Sequence, residues 1–182
     1  MKKSFILLLC VSFLVGFSSC KGKEKPEEEQ IERVEINPDA IGAGKIDQND
    51  TLSGKKVEEM YPDNQSKIVG FYKIDENGQL TDDKYREVYY YEATHYKYIE
   101  GDLDVNRRTG PWYAYHKNGN LCTEAFYVDG KEQGMYKVYH DNGYLYYAGE
   151  YKDGKRVGVW KFYDETGLLE KTENYDEQNQ YK

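Results

Sequence analysis

The sequence predicts an all-β fold, in which 24-residue β-hairpin repeats form a single-layer antiparallel β-meander. Three observations predict it. Gly110, Gly134 and Gly158 recur every 24 residues, a short aromatic run follows each of them, and pairs of turn-forming residues separate the runs. A fixed period of this length is typical of repeat proteins, and short aromatic runs between turns are typical of strands. The meander is predicted to follow a signal peptide and a disordered linker.

Each repeat has room for two strands and two turns. Asn118-Gly119 and Asn142-Gly143 favour tight hairpin turns, because both residue types tolerate positive φ. A second turn pair, Asp129-Gly130 or Asp153-Gly154, ends the second strand. Three complete repeats are predicted, at residues 110–133, 134–157 and 158–181. The recurring positions carry Trp112, Tyr136 and Trp160; Tyr115, Tyr139 and Tyr163; Leu121, Leu145 and Leu169.

A degenerate copy of the repeat is predicted upstream, over residues 57–109. Asn77-Gly78-Gln79-Leu80 matches Asn118-Gly119-Asn120-Leu121, and the aromatic run that begins at Val88 continues the copy. Glu100-Gly101 aligns with the turn pair Asp129-Gly130. The residues from Leu103 to Arg107 are then interpreted as an insertion before the first complete repeat.

The repeat pattern resembles a known family. Gly-x-Trp-x-x-Tyr-x-x-Asn-Gly-x-Leu, followed by Tyr-x-x-Gly-Lys, resembles the bacterial variant of the MORN repeat over residues 70–178. Bacterial chains built from this repeat are grouped as YwqK-type antitoxins. The resemblance implies a scaffold that binds a protein partner, with an antitoxin or immunity role, and it implies no catalytic residues. Since one repeat scaffold can hold many partners, the partner does not follow from the resemblance.

The first nineteen residues have the composition of a secretory signal. Lys2 and Lys3 precede an apolar stretch from Phe5 to Gly16, which is shorter than the roughly 20 residues that a transmembrane helix needs. Small residues then lead to Cys20, and the block resembles a lipoprotein signal. The resemblance implies that residues 1–19 are removed and that Cys20 is acylated with several chains, which anchor a protein stably. The predicted location is the cell envelope, as an outer-membrane lipoprotein that is periplasmic or surface-exposed.

Residues 20–56 are predicted to form a lipidated N-terminus and a charged, disordered linker. The segment is polar and poor in aromatic residues, so it cannot bury enough apolar surface to offset the entropy cost of ordering. The Lys and Glu cluster after Cys20 resembles signals that send lipoproteins of Bacteroidota to the cell surface. Asp50-Thr51-Leu52 resembles the O-glycosylation site of the same phylum, which makes Thr51 a candidate glycosylation site.

Charge and cysteine content exclude several classes of partner. The net charge is -8, which argues against nucleic acid and anionic lipid as partners, because both need clustered cations. Once Cys10 is removed and Cys20 carries lipid, Cys122 is alone in the mature chain. A disulfide framework and a cysteine-based zinc site are therefore not expected.

The residues that could carry chemistry do not form a catalytic arrangement. His116 and His140 occupy equivalent positions, but equivalent strands lie about 9.5 Å apart, too far to share a zinc ion whose bonds are roughly 2 Å long. Adjacent acids such as Glu58-Glu59 point to opposite faces of a strand, and no nucleophile–base pair is recognised. The sequence therefore predicts a protein that is not an enzyme, with no catalytic residues, metal or cofactor.

The aromatic row of Trp112, Tyr136 and Trp160 is the candidate binding surface. Two interpretations are open: the row is the core of the sheet, or it is a groove that binds peptide, glycan or protein. The leading hypothesis is a membrane-anchored protein that presents an aromatic sheet to a protein partner, in a YwqK-like antitoxin or immunity role. The alternative is a structural envelope lipoprotein that binds glycan or peptidoglycan.

Overall fold

The computed structural model describes residues 32–45 and 51–176. Within them, eleven strands form one antiparallel sheet, and ten of these follow one another in chain order from edge to edge, while β7 pairs with β6 beside that path. The predicted all-β meander is confirmed. The strands are β1 (Lys55–Met60), β2 (Ser66–Ile74), β3 (Leu80–Tyr90), β4 (Lys97–Asp104), β5 (Arg107–Tyr115), β6 (Leu121–Val128), β7 (Lys131–Glu132), β8 (Gly134–Tyr139), β9 (Leu145–Lys152), β10 (Lys155–Tyr163) and β11 (Leu169–Asn174).

The regular 24-residue spacing continues into the predicted degenerate copy without an insertion. Gly101 lies within β4, where it pairs with Trp112 of β5, so the prediction of a turn at Glu100-Gly101 is wrong. The turn between β4 and β5 is Val105-Asn106, which lies 24 residues before Asp129-Gly130 and has positive φ at both residues, as that pair does. The residues from Leu103 to Arg107 are therefore part of a regular hairpin, and their interpretation as an insertion is also wrong.

Residues 32–45, here called the strap, pack across one face of the sheet. They include two short 3₁₀ turns, Pro38–Ala40 and Ala43–Lys45. Arg33 forms an isolated β-bridge with Leu168, and Ala40 is fully buried. The prediction of a disordered linker is therefore wrong for this segment. Its backbone, small side chains and a few polar side chains make the contacts, so the segment needs no aromatic residues to become ordered.

Each face of the sheet has its own packed cluster, because side chains alternate between the two faces of a strand. We call the two faces the tryptophan face and the strap face. The cluster on the tryptophan face comprises Trp112, Ala125 and Tyr127, with Ile99, Leu103 and Tyr136 packed against it. The cluster on the strap face comprises Tyr115, Leu121 and Tyr139, with Ala40 of the strap. A further cluster in β2 and β3 comprises Val69, Phe71 and Val88.

Three of the sequence predictions concern, in whole or in part, residues outside those described. The signal peptide at residues 1–19 and the lipidation site Cys20 precede residue 32, and the linker positions 20–31 and 46–50 are likewise not described. Among the described residues, no helix is long and apolar enough to cross a membrane.

Candidate binding surfaces of the sheet

The aromatic row predicted as a binding surface lies in the core of the tryptophan face. Trp112 is 2% exposed and Trp160 is 0% exposed, whereas Tyr136 is half-buried. Burial also raises the pKa of the Tyr136 hydroxyl, to about 12. The prediction that this row is an exposed binding surface is wrong for both tryptophans, because their rings are covered. Of the two interpretations, the one that places the row in the core of the sheet fits the structure.

Small residues on the preceding strands make room for the two indole rings. Gly101 pairs with Trp112, and a Cβ on Gly101 would overlap that ring. A Cβ on Gly149 would overlap the ring of Trp160 in the same way. Midway between the two glycines in sequence stands Ala125, which packs near the smaller ring of Tyr136. On the preceding strand, glycine therefore lies beside each tryptophan and alanine lies beside the tyrosine, whereas on the following strand Ala125 pairs with Trp112 and Gly149 pairs with Tyr136.

Arginine side chains cover the outer side of the same rings. The guanidinium carbon of Arg108 lies 4.1 Å from the ring centroid of Trp112, and that of Arg156 lies 4.3 Å from the ring centroid of Trp160. Arg156 also donates a hydrogen bond from Nη1 to the hydroxyl of Tyr175, at 2.7 Å. Because a guanidinium stacks favourably on an aromatic face, these contacts hold a polar layer over the core.

The strap contacts the same turn in each of the three repeats. In every case a backbone N–H of the strap donates to the carbonyl oxygen of the turn glycine, and the three glycines are 24 residues apart in sequence. Each repeat therefore holds the strap through its turn glycine, and in the last repeat Leu169 N–H also donates to the carbonyl oxygen of Glu32 at 3.0 Å. The bonds join Gly44 to Gly119 (2.8 Å), Asn37 to Gly143 (3.2 Å) and Val34 to Gly167 (2.9 Å).

Small residues on both sides allow this close approach. A Cβ on Gly143 or Gly167 would collide with the strap. On the strap side, Ala40 is fully buried in the aromatic cluster. A Cβ on Gly44 would come within 2.8 Å of the Tyr115 ring. All three turn glycines have positive φ as well, so two independent reasons favour glycine at these turns.

Polar side chains hold the N-terminal part of the strap. The carboxylate of Glu32 accepts hydrogen bonds from Lys161 Nζ at 2.8 Å and from the Tyr163 hydroxyl at 2.9 Å. These two bonds, the Lys161 bond foremost, lower the pKa of Glu32. Burial, together with the Glu32 carboxylate, raises the pKa of Tyr163 to about 12. Asn37 Nδ2 donates to the Tyr139 hydroxyl at 3.3 Å.

A cleft of about 610 Å³ remains between the strap and strands β3 to β6. Strap residues 38–43 form one side of it, and the sheet side includes Tyr113, Leu121 and Glu124. The strap therefore covers this part of the sheet without filling the space beneath it. This cleft is one of two candidate binding surfaces on the strap face.

The floor of the cleft is a buried ionic cluster centred on Glu100. Its carboxylate accepts hydrogen bonds from Arg86 Nη2 at 2.9 Å, Lys97 Nζ at 2.7 Å and the Tyr115 hydroxyl at 2.6 Å. The residues Lys97 and Glu100 are only 3% and 4% exposed. Burial, with Glu100 beside it, raises the pKa of the Tyr115 hydroxyl well above its ordinary value. The sequence alone does not predict this cluster, because Glu100 aligns there with a turn residue.

The second candidate surface is a row of exposed apolar side chains on the strap face. Pro111, Met135 and Val159 occupy the same position in three repeats, and Phe126 pairs with Pro111 across β5 and β6. Met135, Val159 and Phe126 are 51%, 54% and 46% exposed. Met135 and Val159 also line a hollow of about 310 Å³ with Lys161. These four residues, here called the apolar row, form the kind of patch that marks interaction sites.

The remaining candidate residues have structural partners or lie apart from these surfaces. His116 Nε2 lies 2.9 Å from the carbonyl oxygen of Tyr139, and His140 Nε2 lies 3.0 Å from that of Tyr163. In the part of the chain that the structure describes, no group of three or more His, Cys, Asp or Glu side chains is placed to hold a metal ion. Cys122 is a half-buried free thiol, and Thr51 is exposed.

The chain matches no protein-family model, and a search of curated proteins finds no match either.

Proposed function

We propose that this chain is a membrane-anchored, non-enzymatic binding protein whose sheet engages a protein partner through the apolar row. The observation that carries the proposal is the repeated exposure of apolar side chains at Pro111, Met135 and Val159, beside Phe126. An isolated exposed apolar residue is ordinary, whereas a row repeated across several strands has the character of an interaction site.

A protein partner fits this surface better than a glycan does. Sugar rings stack on exposed aromatic faces, and the two tryptophans of the predicted aromatic row are buried under Arg108 and Arg156. The apolar row presents aliphatic side chains and one phenylalanine, which is the composition of a protein contact. Binding of glycan or peptidoglycan by a structural envelope lipoprotein remains the competing hypothesis, and the experiment below separates the two.

The antitoxin or immunity role is a narrower proposal, and it rests on the resemblance of the repeat to the bacterial MORN variant. Under this proposal, the partner is a toxic protein whose active region the sheet covers. If Cys20 is the anchor, the encounter takes place in the cell envelope. A toxin that acts in the cell envelope is therefore the partner that agrees with both the antitoxin role and the anchor at Cys20.

Pull-down from native envelopes under crosslinking tests the apolar row. We expect one stoichiometric protein partner with the unchanged chain. A Met135→Glu/Val159→Glu variant should capture at least about tenfold less of this partner, because two buried carboxylates would face the partner's apolar surface. Ile74→Glu is the matched control, since Ile74 is 45% exposed and lies outside the row. Retention of the partner by the double variant, or capture of glycan with no protein, would count against the proposal.

Replacing Cys20 by alanine tests the anchor. We expect the Cys20→Ala protein to leave the membrane fraction, because acylation requires the thiol and the chain would lose its bilayer contact. Cys122→Ala is the matched control and should stay with the membrane. Fractionation followed by detection of the protein measures both. A Cys20→Ala protein that remained bound to membranes in high salt would refute lipid anchoring through this residue.

A further inference from the structure

The strap shows what kind of molecule the turns of this sheet can hold. Val34 and Asn37 bond to the glycines of neighbouring repeats, and three extended residues span about 10 Å, close to the about 9.5 Å that separates equivalent strands. The spacing of an extended peptide therefore matches the spacing of the repeats. Between Asn37 and Gly44 the two 3₁₀ turns take up the additional residues.

Recognition of the strap depends on its backbone, on small side chains and, in its N-terminal part, on the polar side chains of Glu32 and Asn37. The three bonds to Gly119, Gly143 and Gly167 use main-chain N–H groups, which every residue except proline carries. The strap residues buried against the sheet are Ala40 and Gly44. Its larger apolar side chains, Ile36 and Ile41, are 43% and 50% exposed. Another extended peptide with small residues at these two positions would meet the same requirements.

Two cations of the groove, Lys97 and Lys161, are placed to pair with carboxylates of a peptide. The strap supplies one carboxylate, Glu32, to Lys161. In the described part of the chain, the hydrogen-bond acceptor for Lys97 Nζ is Glu100, whereas an ammonium group has three donors. Lys97 lines the cleft that the strap leaves unfilled. A carboxylate delivered into this cleft would therefore meet a buried cation with spare donors.

We propose that the row of turn glycines is a docking groove for an extended acidic peptide of a partner protein. The strap occupies this groove in the isolated chain, and the partner peptide replaces it and places a carboxylate beside Lys97. Glu124, the other acid on the sheet side of the cleft, is already paired with Lys137 at 3.0 Å, and Asp39 leaves with the strap. The proposal uses neither the apolar row nor the lipid anchor, so it stands apart from the function proposed above.

Fluorescence anisotropy with a labelled peptide of residues 32–45 tests whether the groove binds in trans. The chain carrying Ala40→Glu opens the groove, because a carboxylate cannot enter the aromatic site that Ala40 fills. We expect saturable binding of the peptide to this variant, and binding at least about tenfold weaker to the unchanged chain, whose strap competes. A labelled peptide that itself carries Ala40→Glu is the control and should not bind.

A second peptide tests the acidic preference. Ala43 lines the cleft, so a 32–45 peptide with Ala43→Glu should bind the opened groove about tenfold more tightly than the unchanged peptide. This gain should disappear when the opened chain also carries Lys97→Leu, which introduces the residue found at Leu121 in the next repeat. A gain that survived Lys97→Leu would overturn the assigned role of Lys97.

A cut chain keeps the test decisive if Ala40→Glu prevents folding. A protease site placed between residues 45 and 51 separates the strap from the sheet after the chain has folded. We then expect the strap fragment to co-elute with the sheet and to exchange with added labelled peptide. Absence of saturable binding up to about 1 mM peptide, in either form of the protein, would overturn the proposal.

Discussion

Replacing Glu100 by alanine is expected to destabilise the protein by about 3–5 kcal/mol, because the buried Lys97 and the partly buried Arg86 would lose the carboxylate that they share. Arg86 and Lys97 both donate to Glu100, and the side chains of Lys97 and Glu100 are 4% and 5% exposed. The hydroxyl of Tyr115 would lose its acceptor as well. Urea unfolding followed by tryptophan fluorescence measures the change in the free energy of unfolding.

Two further variants test whether the loss in the free energy of unfolding comes from leaving buried charges unpaired or from removing any carboxylate near Arg86. Asp102→Ala also removes a partner of Arg86, at 2.5 Å, but the side chain of Asp102 is 42% exposed, so a loss of about 1 kcal/mol or less is expected. Lys97→Leu/Glu100→Ala reproduces the pair Leu145 and Ala148, which holds the same positions two repeats later. This double variant should recover more than half of the loss. A loss below about 1 kcal/mol for Glu100→Ala would contradict the argument.

The repeat and its strands could be predicted from the sequence because they follow from local rules. Aromatic runs at a fixed period and Asn-Gly turns mark the hairpins of the complete repeats. The turn at Val105-Asn106 could not be found by the same rule, because a β-branched residue rarely adopts positive φ. The signal in the sequence is its position 24 residues before Asp129-Gly130. Glu100-Gly101 resembles that turn pair more closely in residue type, and therefore draws the alignment away from the correct position.

The strap could not be predicted from composition, because it is ordered by partners far away in the chain. Its residues are polar and small, which is the pattern of a disordered linker. The turns that hold it supply carbonyl groups and space, and neither is visible in a hydropathy pattern. The pair Asn37-Pro38 does carry a local signal, since Asn37 caps the 3₁₀ turn Pro38–Ala40 by accepting a hydrogen bond from Asp39 N–H.

The candidate site shows the same division between local and distant information. The sequence identified the row of Trp112, Tyr136 and Trp160 as recurring, but exposure depends on what packs over each ring. The covering groups, Arg108 and Arg156, belong to strand ends that the repeat pattern does not single out. The small residues beneath the row were a usable signal, because Gly101, Ala125 and Gly149 also recur every 24 residues.

The match between small residues and rings leads to the second large effect. Gly149→Ala is expected to cost about 2–3 kcal/mol in the free energy of unfolding, because the new Cβ would overlap the Trp160 ring and that ring is fully buried. Gly101→Ala should cost a similar amount through Trp112, since the geometry is the same. Urea unfolding measures both variants, with the slope of the transition confirming that the sheet unfolds as one unit.

A double-mutant cycle distinguishes this steric account from a general intolerance of β9 to substitution. Tyr136 near Ala125 shows that the repeat accepts a phenol beside an alanine. Trp160→Tyr alone should destabilise the protein because it leaves a cavity. Combined with Gly149→Ala it should cost less than the two losses added, with a coupling of at least about 1 kcal/mol. Additive losses would mean that the glycine serves the backbone of β9, and that the indole ring does not require it.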